Sequence, residues 1–322
     1  MVGPSPPAPP RRFPRAGGRP APANPYALPV RYAPRRRSAT SGVVEALGAV
    51  AAIVVIGVLA MAAFGGRDGG AGSPGGGAGA RRVGREVATG NALYKTGELT
   101  SVSCRLPRIV PGSGRSMKHF MDTLTGCLDA VWRRQFAKAH LAFPRPSRVF
   151  WSQPGRSPCG SYPQPGAAAF YCAVNDTMYV GLEHVVETAG GEPVSHYAVY
   201  ARVVAHEYGH HVQQEAGILL YGHQLMNQQD VAASTEASRR IELQAQCFAG
   251  AFLGAERATL PMTEEQYRAM IADVYSRGDD RQPPERRDHG SARHYAGWVI
   301  TGFVKRAPAA CDTWTADPSL VG

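Results

Sequence analysis

The chain has 322 residues and a formal net charge of +10 at pH 7, a length that excludes a peptide too small to bury a core. Eight of those charges are arginines before residue 45 (Arg11, Arg12, Arg15, Arg19, Arg31, Arg35, Arg36 and Arg37), with no acid among them. The remainder is near neutral, so the charge does not imply a nucleic-acid-binding surface on the folded part.

Residues 1–44 are rich in Pro, Arg and Ala, which predicts a disordered basic tail. Its aromatics are Phe13, Tyr26 and Tyr32, and no nucleic-acid partner is expected. Residues 45–64 contain the run "ALGAVAAIVVIGVLAMAAF", residues 46–64, which carries no charge. At 1.5 Å per residue it reaches ~28 Å, close to the ~30 Å hydrocarbon core. This predicts one transmembrane helix, with the lipid bilayer as a partner through residues 46–64. The arginine-rich flank places the N-terminus in the cytoplasm and the rest outside a cell membrane. A cleaved signal peptide is the rival reading, and the long leader argues against it. Residues 65–90 open with "GGRDGGAGSPGGGAGA" and read as a glycine-rich linker. The extracytoplasmic domain is then expected over residues 91–322.

Six cysteines (Cys104, Cys127, Cys159, Cys172, Cys247 and Cys311) all follow the apolar run. An even count on the outer side reads as disulfides. None stands in a CxxC pair, which argues against a cysteine zinc site.

Within the domain, Phe120, Leu124, Leu128, Val131, Trp132 and Phe136 recur at helical spacing and predict a helix over 115–140. "RVFW" at 148–151 predicts a short strand, and residues 169–182 predict two strands joined at Asn175-Asp176. Helices are expected over 195–216, with Gly217 as a stop, and over 234–253. Another opens at Thr263, where Gln266 completes a capping box, and a last one follows Ser291. Helix, small sheet, then several helices is an α+β class with a helical majority.

"VVAHEYGHHVQQ" places His206, Glu207 and His210 in the pattern HExxH. Residues four apart on a helix differ by about 40° in direction, so both imidazoles can face one ion. Glu207 sits about 100° round, off the ligand plane but placed to meet a water there. His211 faces elsewhere and reads as a solvated or outer histidine. Gly209 in a helix interior suggests close approach by another backbone or a ligand. The extended metzincin pattern would need Gly at 213 and His at 216, where Gln213 and Ala216 stand, so that class is excluded. A hydrolytic zinc site needs a third protein ligand. Glu242 on the next helix is the leading candidate, with Glu236, Asp230, His223 and His289 as rivals.

The chain resembles a bacterial family of neutral zinc metallopeptidases. The resemblance runs from about residue 91 to 313. It rests on Cys159-Gly160, "FYC" ending at Cys172, "AHEYGHHVQ" from Ala205, "ELQAQCFAG" from Glu242, His289-Gly290, Trp298, Gly302-Phe303 and Cys311. It implies a zincin-like fold, one zinc ion held by His206, His210 and Glu242, and Glu207 as catalytic base. It favours a Cys159–Cys172 disulfide; Cys104–Cys127 and Cys247–Cys311 are guesses for the rest.

The sequence departs from the family at Gln246, where relatives carry an Asp that accepts a bond from a ligand histidine. It departs again at Ala292 and Tyr295, where relatives tend to have Ser and Arg, and at Gly181, where they often have Asp. The expected function is a membrane-anchored zinc metallopeptidase acting on a peptide or protein substrate. His289 is the candidate oxyanion donor with Tyr295 behind it, and the strand 177–182 would pair with an extended substrate. The departures motivate an alternative: a catalytically degenerate zinc-binding surface protein on the same scaffold.

Overall fold

The computed structural model describes residues 83–163 and 167–322. Helix α1, Gly114–Lys138, starts where the Ser113 side chain accepts from the Ser116 amide. Its apolar stripe (Phe120, Leu124, Leu128, Val131, Trp132 and Phe136) is buried, as the spacing predicts.

A three-stranded sheet follows, built from β1 (Ser147–Trp151), β4 (Ala169–Cys172) and β5 (Thr177–Gly181) in the order β1-β5-β4. Strands β1 and β5 are parallel, with Ser147 opposite Thr177, and β4 runs antiparallel to β5, with Phe170 opposite Tyr179. A small hairpin between them, β2 (Gly155–Ser157) and β3 (Gly160–Tyr162), has no counterpart in the sequence reading. The expectation that strand 177–182 pairs with substrate is corrected. That strand is central, paired on both sides and buried throughout, so its backbone groups are already used.

The site is carried by α2 (Tyr197–Glu215) and α4 (Val231–Ala255). Gly217, at φ 76°, ends α2 but also caps a short helix α3, Ile218–Met226, that the sequence reading did not anticipate. Asp230 caps α4 by accepting from the Ala232 and Ala233 amides. Helix α5, Glu264–Tyr275, is capped by Thr263 accepting from Gln266, but the Gln266 side chain bonds Ala198 and Ser195 instead of closing the box. Helix α6, Ala292–Lys305, packs against α4 so closely that a Cβ on Gly302 would collide with the Cys247 carbonyl.

The disulfides are Cys104–Cys127, Cys159–Cys172 and Cys247–Cys311. The last fixes the segment after α6 to the helix carrying Glu242. The Glu256 carboxylate, fully buried just past α4, accepts from Ser101 and Thr259 hydroxyls and the Cys104 amide at 2.6–3.0 Å.

The mostly helical domain with a small sheet matches the α+β expectation. The preceding transmembrane helix is corrected, and with it the bilayer as a partner and the placement as a single-pass membrane protein. Among the described residues no helix is long and apolar enough to cross a membrane. The longest, α1 and α4 at 25 residues each, carry charges along their length, Lys118 and Asp122 in one and Arg239, Arg240 and Glu242 in the other. Residues 1–82, including 46–64, lie outside the described residues.

Candidate metal centre

Helix α2 is buried along nearly its whole length, held from both sides by the sheet and by α4. The Tyr208 hydroxyl donates to Asp129 of α1 at 2.8 Å, and Arg148 of β1 pairs with the same carboxylate. The sequence left His211 as a solvated or an outer histidine, and the structure excludes the solvated one. It is buried, with Nε2 2.8 Å from the Pro144 carbonyl and Nδ1 3.1 Å from the Tyr171 hydroxyl. Those partners tie α2 to the sheet side and come from segments that no local pattern connects to it.

His206 and His210 share a face, with their Nε2 atoms 3.2 Å apart. Glu242 on α4 brings Oε2 to 3.1 Å from His206 Nε2 and Oε1 to 3.5 Å from His210 Nε2. Three donors on a tetrahedral ion at 2.0–2.1 Å would lie roughly 3.3–3.4 Å from one another, so this cluster could coordinate a metal. None of the four rivals from the sequence is among the three clustered donors, although His289 stands beside them. Glu236 pairs with Arg240 at 2.6 Å, Asp230 caps α4, and His223 lies on α3.

Burial pushes the His206 imidazole down to about 4, which keeps it neutral. Burial opposes charge on His210 too, but the Glu242 carboxylate beside it raises that imidazole to about 9. Burial likewise opposes charge on Glu242, yet His210 and His206 hold its carboxyl well below the usual range.

Glu207 faces the sheet side of the same helix. Burial pushes its carboxyl up to about 7, opposed by the charge on His210 and by the backbone amide of Tyr171, which donates to it from β4. His289 stands across the cluster, with Nε2 3.8 Å from Glu242 Oε2. Its Nδ1 lies 2.8 Å from Asp288, and its amide donates to Asp279 at 2.8 Å. Burial opposes its charge, but those two carboxylates hold the imidazole well above its usual value. The Tyr295 ring is 5.9 Å from His289 and 6.4 Å from His206. The six residues singled out in the sequence are thus gathered in one place.

Several contributors had no signal or a weak one. Gln213 Oε1 lies 2.9 Å from His210 Nδ1, and its position three residues on along the same helix face was legible in principle. The amide of Tyr171 and the carboxylates of Asp279 and Asp288 reach the site only through the fold. Gln246, which stands where relatives carry an accepting Asp, makes no bond to a ligand histidine. Both its amide atoms and His206 Nδ1 are buried without a hydrogen-bond partner among the described residues.

Residues 98–314 match the model of a family described as "Putative neutral zinc metallopeptidase". The chain belongs to that family. The neutral zinc metallopeptidase match spans the sheet and both ligand-bearing helices. Among curated relatives, "Uncharacterized protein YpfJ" of Escherichia coli (strain K12) is 27% identical over 227 residues, covering 68% of this chain and 78% of that protein. "Uncharacterized protein Rv2575" of Mycobacterium tuberculosis (H37Rv) is 32% identical over 212 residues, covering 59% of this chain and 68% of the relative. No solved structure matches the chain.

The sequence-based function, a membrane-anchored zinc peptidase, is corrected in its anchor, since no described helix can cross a membrane. Of the two readings stated from the sequence, the alternative stands closer to these findings, which give a donor cluster on a peptidase-family scaffold.

Proposed function

We propose that this family member holds one zinc ion at His206, His210 and Glu242, and that the site is built for hydrolysis of peptide bonds. The observation that carries this is the convergence of three buried donors at 3.1–3.5 Å with a buried carboxyl next in sequence to one of them. Zinc supplies Lewis acidity that lowers the pKa of water toward ~7 and polarises a carbonyl. Glu207, pushed up to about 7, is poised to accept a proton and to release it to a leaving amine at neutral pH. His289, kept charged by Asp279 and Asp288, is the group for negative charge developing on the substrate carbonyl oxygen. Tyr295 packs against the His289 ring and limits where it can turn. The substrate class is peptide or protein.

Replacing Glu207 by Gln tests the reading. The full chain should keep about one zinc ion per molecule and lose cleavage of a mixed peptide library. Wild type that carries zinc and cleaves nothing in that library would leave the second reading, a zinc-holding protein without turnover. Gln246 and His206 Nδ1, which have no hydrogen-bond partner among the described residues, favour that reading.

A further inference from the structure

We propose that Gln213 is a positioning residue for the metal centre: its amide sets which nitrogen of His210 faces Glu242 and ties that histidine to the helix carrying Glu242. The inference rests on the zinc reading above and concerns how the chain holds the ligand set.

A side-chain amide has a donor end and an acceptor end, and here the surroundings fix which is which. Gln213 Nε2 lies 2.8 Å from the Ile241 carbonyl oxygen, which can only accept. It also lies 3.0 Å from Gln244 Oε1. The oxygen end must therefore face His210, and it does so 2.9 Å from Nδ1. Nδ1 carries the hydrogen, which leaves the Nε2 lone pair for the cluster. That Nε2 is the atom 3.2 Å from His206 and 3.5 Å from Glu242.

The direction is enforced one step further out. Gln244 Nε2 donates to the Cys311 carbonyl at 2.9 Å and to the Tyr94 hydroxyl at 2.8 Å, so its own oxygen must face Gln213. Both glutamines are fully buried. A flip of either amide would oppose like atoms and break buried bonds. The run starts at one ligand and reaches the backbone of Ile241, the residue before another. His206 has no equivalent, because its Nδ1 is buried without a partner among the described residues. The angular precision of the donor set thus depends on the His210 side.

The test is zinc affinity of the full chain, measured by competition with a chromophoric chelator, for wild type, Gln213→Leu and Gln213→Glu. Loss of a histidine's outer partner typically weakens metal binding about 10–100-fold, and that loss is expected for Gln213→Leu. Gln213→Glu keeps an acceptor for Nδ1 but loses the donor to Ile241. It should hold zinc more tightly than Gln213→Leu, whereas a residue that only ties the helices would leave the two equally weak. The proposal is overturned if Gln213→Leu binds within about twofold of wild type, or if Gln213→Glu is no tighter than Gln213→Leu. If Gln213→Leu does not fold, Gln213→Glu decides against wild type. Retention within about threefold supports the proposal, and a tenfold or greater loss sinks it. Wild type that binds no zinc would instead overturn the metal reading itself.

Discussion

Gly209 lies against the backbone of Ala245: a Cβ placed on it would sit 2.9 Å from the Ala245 carbonyl oxygen and 3.0 Å from its Cα. This contact sets the separation of α2 and α4, and so how far Glu242 reaches toward the histidines. Gly209→Ala gains about 1 kcal/mol of helix propensity but forces the backbones apart, at about 1–3 kcal/mol. The variant should be less stable in chemical denaturation and retain zinc more weakly. A variant stabilised by about 1 kcal/mol, with unchanged zinc, would show that the helices part freely.

Gln246 is buried with neither amide atom bonded among the described residues. An unsatisfied buried polar group costs about 1–3 kcal/mol. Gln246→Met, similar in length and apolar, should therefore raise the denaturation midpoint, with a gain of about 1 kcal/mol. A clear destabilisation would mean that the amide makes a bond in solution, and His206 Nδ1 is the first partner to examine.

The i, i+4 histidines and the stripe of α1 were legible because local spacing alone creates them. Glu242 was legible only as one acid among several, since its meeting with α2 depends on a long-range packing distance. The β2–β3 hairpin was invisible: "GRS" and "GSY" carry no apolar alternation. Helix α3 was hidden because one glycine both ends α2 and opens the next helix. His211 could be read only as solvated or outer, because a helical wheel shows its direction but not the sheet and the Pro144 segment waiting there.

Cys247–Cys311 closes a loop with a sequence separation of 64, for which chain entropy gives about 4 kcal/mol. The double variant Cys247→Ser with Cys311→Ser should lose about 2–4 kcal/mol in urea unfolding. It should also release zinc faster, because Gln244 bonds the Cys311 carbonyl. Equal zinc release from both proteins would separate that bridge from the metal centre.

His196, just before α2, lies 2.5 Å from Glu192 and 3.0 Å from Glu265 of α5. Its hydrogen bonds to Glu192 and then to Glu265 raise its pKa. A raised folded-state value means that the stabilisation is fully present below the ordinary histidine value of 6.5. It is then lost as pH rises through the folded value. The stability difference between wild type and His196→Asn should accordingly shrink on going from mildly acidic to alkaline pH. A difference that does not change with pH would mean that the imidazole is uncharged between the two glutamates.

The family match begins at residue 98, yet partners of the core begin earlier. Asn91 donates to the Ala216 carbonyl at the end of α2 at 3.0 Å, and Tyr94 takes the hydrogen of Gln244 at 2.8 Å. What homology recognises is thus shorter than what must fold. An expression boundary drawn at the edge of the recognised region would discard Asn91 and Tyr94, exposing the far end of α2 and an amide that the intact protein keeps dry.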